Sequence, residues 1–200
     1  SIRIRDLSDL ITFVPGASEG LSVSLGQRQY QMRGISTNNL GDPTIGYYID
    51  DAAFFIYGEP YAPIGRTFDI QRVEVLRGPQ SALYGAEAIG GVISIFTKRG
   101  APGVQAEAAV EGGSFSTING MAGVRGATQT VNYALSASAF KSDGTNVSRF
   151  GSEDDGYRNR TVYASGGWAP VAGASLDASL RYRDSRSMFD PQDFGFPPGP

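Results

Sequence analysis

The sequence predicts an α+β domain over residues 1–100, followed by long antiparallel strands over residues 101–200. Three observations carry this prediction. A short run near the start has helical apolar spacing, residues 69–99 place two β-branched runs around a Gly-rich connection, and from Val104 onward apolar and polar residues alternate.

Leu7, Leu10, Ile11 and Val14 fall at i, i+3, i+4 and i+7, which makes one apolar helix face, and Pro15-Gly16 ends it. The run is expected to pack on a small sheet. In residues 69–99, Ile70, Val73 and Val75 form one strand, and Val92, Ile93, Ile95 and Phe96 form another. Between them, Gly78-Pro79 is expected to start a short helix with Pro in its first turn. Ser81 to Tyr84 fill it, and Gly85 ends it in a left-handed cap. Gly90 and Gly91 supply positive φ or close backbone approach for the return into a strand.

The period changes at Gly100-Ala101-Pro102-Gly103, the expected domain boundary. Beyond it, Val104, Ala106, Ala108 and Val110 oppose Gln105, Glu107 and Glu111, and Ile118, Ala122 and Val124 oppose Thr117, Asn119 and Arg125. Val131, Tyr133, Leu135, Ala137 and Ala139 likewise oppose Asn132, Ser136 and Ser138. Ala174, Leu176, Ala178, Leu180 and Tyr182 oppose Ser175, Asp177, Ser179, Arg181 and Arg183, and Val162, Ala164 and Trp168 mark a weaker strand before them. Segments of about 8 to 11 residues suit strands that cross an outer membrane. An antiparallel sheet in a soluble protein gives the same alternation.

Composition narrows the function. The 200 residues include 27 Gly, and 17 basic against 20 acidic side chains leave a net charge of −3, which disfavours a nucleic-acid footprint. Cys and His are both absent. That removes thiolate and imidazole metal sites, Ser-His-Asp and Cys-His catalysis, and disulfides. No resident cofactor or metal is expected. An enzyme is not expected either. Gly78 to Gly91 lacks the Gly-Lys-Ser/Thr ending of a phosphate loop, the neighbouring carboxylates Asp50-Asp51 point to opposite strand faces, and Asp154-Asp155 read as solvated.

The order Val-Glu-Val-Leu-Arg-Gly-Pro (73–79), Leu-Tyr-Gly (83–85), Gly-Gly-Val-Ile (90–93) and Thr-Lys (97–98) closely resembles the end of the plug domain of TonB-dependent outer-membrane receptors. Gln31-Met32-Arg33-Gly34-Ile35 resembles the family's Arg-Gly segment, and Gly46-Tyr47-Tyr48-Ile49-Asp50-Asp51 its Tyr-Ile-Asp-Gly segment, with Asp51 where Gly is usual. The resemblance covers the first half motif by motif and the second half by pattern. It implies an α+β plug domain at 1–100 followed at 101–200 by the first antiparallel strands of a transmembrane β-barrel of about 22 strands. A signal peptide, a TonB-contacting box and the first plug strand are then expected before Ser1, and most of the barrel after Pro200.

Connection lengths give a direction. The connections at Ser114-Phe115-Ser116, Gly126–Thr130 and Ala169–Gly173 are short, whereas Lys141–Asn159 and the segment after Ser185 are long. If the first strand leaves the periplasmic side, the second and fourth connections are periplasmic and the longer ones face outward. Short turns suit the periplasmic side and long loops the outside.

By resemblance, the function is TonB-dependent import of a scarce nutrient, foremost a ferric siderophore, with the plug gating the barrel. The alternatives are a carbohydrate, an aromatic compound, a cobalamin-like ligand or a signalling role. Expected partners are the inner-membrane TonB complex, a small-molecule ligand and outer-membrane lipid, in a Gram-negative bacterium, with no nucleic acid. Ligand contacts are expected in outward plug loops, at Asn38, Asn39 and Asp42 and at Phe55, Tyr57, Glu59 and Tyr61. Arg33, Glu74 and Arg77 are expected to contact the barrel wall, and Gly34, Gly78, Pro79, Gly85, Gly90 and Gly91 to form turns.

Overall fold

The computed structural model describes residues 7–20, 28–36, 41–54, 62–63, 69–145 and 154–188. The chain divides into two compact units, Ser1–Lys98 and Arg99–Pro200.

In the first unit, helix α1 (Leu7–Ile11) buries Leu7 and Ile11. It is shorter than the apolar spacing predicts. The amides of Phe13 and Val14 donate to carbonyls three residues back, at 3.1 and 2.9 Å, so the last turn tightens. Pro15 disfavours a helical conformation at Val14 just before it.

Strands β1 (Ala17–Glu19) and β2 (Tyr30–Met32) pair antiparallel. β3 (Ile45–Ile49), β4 (Ala52–Phe54), β5 (Ile70–Arg77) and β6 (Gly91–Thr97) form a four-stranded sheet in the order β4-β3-β6-β5. β6 is parallel to β3 and antiparallel to β5. As an inner strand it buries Val92, Ile93 and Ile95, which accounts for its nearly continuous apolar sequence. Ile93 and Ile95 share one core with Leu7, Ile11, Met32 and Ile45.

The β3–β4 hairpin turns on Asp50-Asp51, with φ of 50° and 67°. A two-residue turn of type I′ needs positive φ at both positions, and Asp tolerates this better than most side chains. Asp51 therefore fills the usual Gly position without breaking the turn.

Helix α2 (Ser81–Tyr84) is a single turn with Gln80 at its N-cap, so Pro79 precedes the helix instead of occupying its first turn. Gly85 ends it at φ 87° and ψ −179°, an extended mirror-image conformation open to glycine alone rather than the predicted left-handed cap.

The second unit is an antiparallel meander of β7 (Gly103–Gly113), β8 (Thr117–Ala127), β9 (Val131–Ser142), β10 (Tyr157–Val171) and β11 (Ala174–Ser187). At 15 and 14 residues, β10 and β11 exceed the predicted length, because their hairpin ladder continues beyond the apolar stretch. Register places Ala108, Ala122, Ala137, Val162 and Tyr182 in one row across all five strands, with Ala106, Val124, Leu135, Ala164 and Leu180 in the next. This face leaves Val104, Val110, Leu135, Trp168, Leu180 and Tyr182 exposed. The opposite face carries buried Asn119, Asn159, Tyr157 and Tyr163. Such a sheet is inside out by the standard of a water-soluble protein, and it follows the rule for a wall with lipid outside and polar groups inside.

Candidate functional site

One end of the plug sheet gathers most of the described residues that the sequence singles out. There β3 begins, β4 ends, β5 ends at Arg77, and β6 begins at Gly91, in register with Ile45 and Arg77. Exposed Asp42 lies just ahead of β3. Asn38 and Asn39 precede it, and Phe55, Tyr57, Glu59 and Tyr61 follow Phe54 at the end of β4; these six lie outside the described residues.

Three glycine corners meet beside this end. The amide of Arg33 donates to the carbonyl of Gly16 at 2.7 Å, and Arg77 Nη1 donates to the carbonyl of Pro15 at 2.9 Å. The Arg33 guanidinium reaches over Gly78, where a Cβ would stand 3.3 Å from Arg33 Nη1. Pro15-Gly16, Arg33-Gly34 and Arg77-Gly78 thus lock together. Arg33 itself takes φ 52° and Gly34 φ 77°, the two positive values that this tight corner needs.

The return into β6 depends on close approach. A Cβ on Gly91, at φ 156°, would lie 2.5 Å from both the Leu76 carbonyl and Met32 Sδ. Gly90 donates its amide to the Thr44 carbonyl at 2.8 Å, and a Cβ there would sit 3.2 Å from the same oxygen. The Tyr48 hydroxyl donates to the Tyr84 carbonyl at 2.8 Å, and the two rings meet edge to face at 5.1 Å, which fastens α2 to β3.

Glu74 is half-exposed on β5 and pairs with Arg72 at 2.7 Å. The Arg72 guanidinium also lies 3.6 Å from the centre of the Phe96 ring. Sequence reading singles out Glu74 and misses Arg72, although spacing of two on a strand puts both on one face.

The opposite end of the sheet holds a contact that the motifs do not announce. The Asp50 carboxylate accepts from the Thr97 amide at 2.8 Å and from Thr97 Oγ1 at 2.7 Å. It ties the β3–β4 turn to the last residue of β6. In the core, burial holds the Tyr47 phenol well above its ordinary range, and the neighbouring Tyr30 adds to the shift.

None of these groups forms a nucleophile–base pair. The arrangement is one of locked corners at one end of the plug sheet.

Residues 2–92 match the family model of the TonB-dependent Receptor Plug Domain. Over 201 residues, the chain is 28% identical to the vitamin B12 transporter BtuB of Photobacterium profundum, with 98% of this chain covered; it spans about a third (32%) of that relative's length. The fold is similar to the ferric yersiniabactin uptake receptor FyuA from Yersinia pestis, with TM-score 0.75 and 22% identity over 90% of this chain and 29% of that one. It is also similar to the pyoverdine outer membrane receptor FpvA from Pseudomonas aeruginosa, with TM-score 0.72 and 18% identity over 91% and 25% of the two chains. Residues 2–92 are thus a TonB-dependent receptor plug domain, and the chain as a whole, with its inside-out sheet, is similar in fold to receptors of the Gram-negative outer membrane.

Proposed function

We propose that the protein imports a scarce nutrient across the outer membrane, most directly a ferric siderophore, with the plug gating the barrel and the TonB complex supplying the energy. The observation that carries this reading is the joining, in one chain, of a plug domain with strands whose apolar side chains face outward. A barrel wide enough for a large chelate leaks small solutes unless a folded domain fills it. That domain must also move, and polar, wet contacts rearrange at low cost. Arg33, Glu74 and Arg77 are proposed to make such contacts with the wall.

Ligand contact is assigned to Asp42 with Asn38 and Asn39, and to Phe55, Tyr57, Glu59 and Tyr61. Aromatic surface with a few polar groups suits an amphipathic chelate. FyuA, whose fold this chain resembles, is an uptake receptor for ferric yersiniabactin, and FpvA, likewise similar in fold, binds pyoverdine. The relative BtuB transports vitamin B12, which favours a corrinoid as the second reading.

Binding of labelled ferric siderophores and cobalamin to the purified full-length receptor tests the ligand class. One ferric siderophore should saturate it, and Tyr57→Ala with Tyr61→Ala should weaken that binding about tenfold without lowering receptor abundance. Saturation by cobalamin alone would replace the first reading with the second, and unchanged affinity in the double variant would remove that loop from the site.

A further inference from the structure

The lipid-facing side of β7–β11 ends in charge. Register carries the apolar face of β9, β10 and β11 through Ala137, Val162 and Tyr182 into a row of Ala139, Arg160 and Asp184, then a row of Lys141, Arg158 and Arg186. Burial confirms the face: Tyr157 and Asn159 are buried, whereas Arg158 and Arg160 between and after them are exposed, as is Arg186. This is the end from which the long connection at residues 143–156 leaves, the outward end by loop length.

Carboxylates offset this charge only in part. Lys141 pairs with Asp143 at 2.9 Å, and the Asp143 carboxyl is held below its ordinary range first by the Lys141 hydrogen bond, with Arg158 contributing at longer range. Asp184 stands across from Arg160, and Asp154 and Asp155 precede β10. Among the described residues, Arg158, Arg160 and Arg186 form no ion pair of their own, so three guanidinium groups crown the apolar band. Arginines have the planar donor fork that grips phosphate oxygens.

A second feature lies directly below them. The same face holds an open apolar groove of about 620 Å³, floored by Ala106, Ala108, Ala122 and Ala137 and walled by Leu135 and Val162. Val162 is two residues from Arg160 on β10, a rise of about 7 Å. A groove for hydrocarbon and a cluster for anions therefore stand one above the other, in the order in which an acyl lipid presents its chain and its headgroup.

We propose that this face is a binding site for a phosphate-bearing acyl lipid of the outer leaflet, with acyl chain in the alanine groove and phosphate on Arg158, Arg160 and Arg186. The inference rests on the outer-membrane placement of the strands and is independent of which nutrient is imported. The site belongs to the barrel's outer surface and takes no part in ligand uptake.

The test is titration of fluorescent diphosphoryl lipid A against the purified full-length receptor in a neutral detergent. Arg158→Gln with Arg160→Gln and Arg186→Gln should weaken binding at least tenfold, since each cation near an anionic lipid surface contributes appreciably. Ala122→Phe, which fills the groove, should weaken it about threefold, while Arg125→Gln on the opposite face should leave it unchanged. Dephosphorylated lipid A should bind far more weakly, and inorganic phosphate at millimolar concentration should not compete. Wild-type affinity in the triple variant, an equal loss in Arg125→Gln, full binding of the dephosphorylated lipid, or displacement by inorganic phosphate would each overturn the proposal. Should the triple variant not reach the folded, heat-modifiable form, Arg160→Gln alone carries the test, with a loss of about threefold expected and none contradicting it.

Discussion

Single side chains in the plug carry separable costs. Asp50 accepts two hydrogen bonds from Thr97, whose side chain is almost wholly buried, and it holds a positive φ as well. Asp50→Ala removes a charge-assisted pair and strains the turn, so calorimetry of the full-length receptor should show the plug transition lowered by about 2–3 kcal/mol. Asp50→Asn keeps an acceptor and tolerates the φ, and should cost less than half as much. An unchanged transition in Asp50→Ala would mean that the tie contributes nothing.

Glycines divide in the same way. Gly91→Val drives a side chain into the Leu76 carbonyl and Met32 and should abolish accumulation of folded receptor, whereas Gly34, with open space around its Cβ position, should tolerate Ala at about 1–2 kcal/mol for its φ of 77°. Normal levels of folded Gly91→Val receptor would contradict that geometry. For Tyr47 the sign follows from burial. A phenol whose folded-state value is raised stabilises the fold fully below the ordinary value of 10.0 and loses that contribution as pH climbs toward the folded-state value. Plug stability should fall above about pH 10, and Tyr47→Phe should flatten that fall; a profile identical in the variant would contradict it.

Among the elements, the β-strands of the second unit test the lipid-facing assignment most sharply. Leu135 and Ser136 are neighbours on β9 that point to opposite faces, Leu135 half-exposed in the apolar band. Leu135→Arg should cost about 2–4 kcal/mol in membrane insertion and reduce assembled receptor, while Ser136→Arg should be tolerated better. The reverse order would assign the faces wrongly.

These strands were legible because a period of two with a single apolar side leaves a register no freedom to slip. Their ends were less so: once Arg160 and Asp184 interrupt the apolar face, backbone pairing alone continues the hairpin. The buried strand β6 and the short α2 could be read from Val92 to Phe96 and from Ser81 to Gly85, since β-branched runs and glycine punctuation are local signals. The locked corners were legible only as glycines. That Arg33 reaches over Gly78 and Arg77 finds the Pro15 carbonyl depends on contacts 45 and 62 residues apart, which no local pattern encodes. The Asp50–Thr97 tie, 47 residues apart, was missed for the same reason, whereas Arg72 stands two residues from Glu74 and was open to a local reading.

For the molecule as a whole, the two units obey opposite rules of burial. The plug hides Ile11, Met32, Ile45 and Ile93 as a water-soluble domain does, and the β7–β11 sheet turns Val110, Leu180 and Tyr182 outward. Among the described residues this sheet has five strands, fewer than the smallest membrane barrel of about eight, with β7 and β11 at its edges. A plug domain and a lipid-facing sheet in one chain are the two parts that the proposed import function requires. The measurement that bears most directly on this account is accumulation of labelled ferric siderophores in cells that carry the full-length receptor, with and without functional TonB. The account predicts receptor-dependent accumulation that disappears when TonB is lost; accumulation that persists without TonB, or none for any siderophore or for cobalamin, would contradict it.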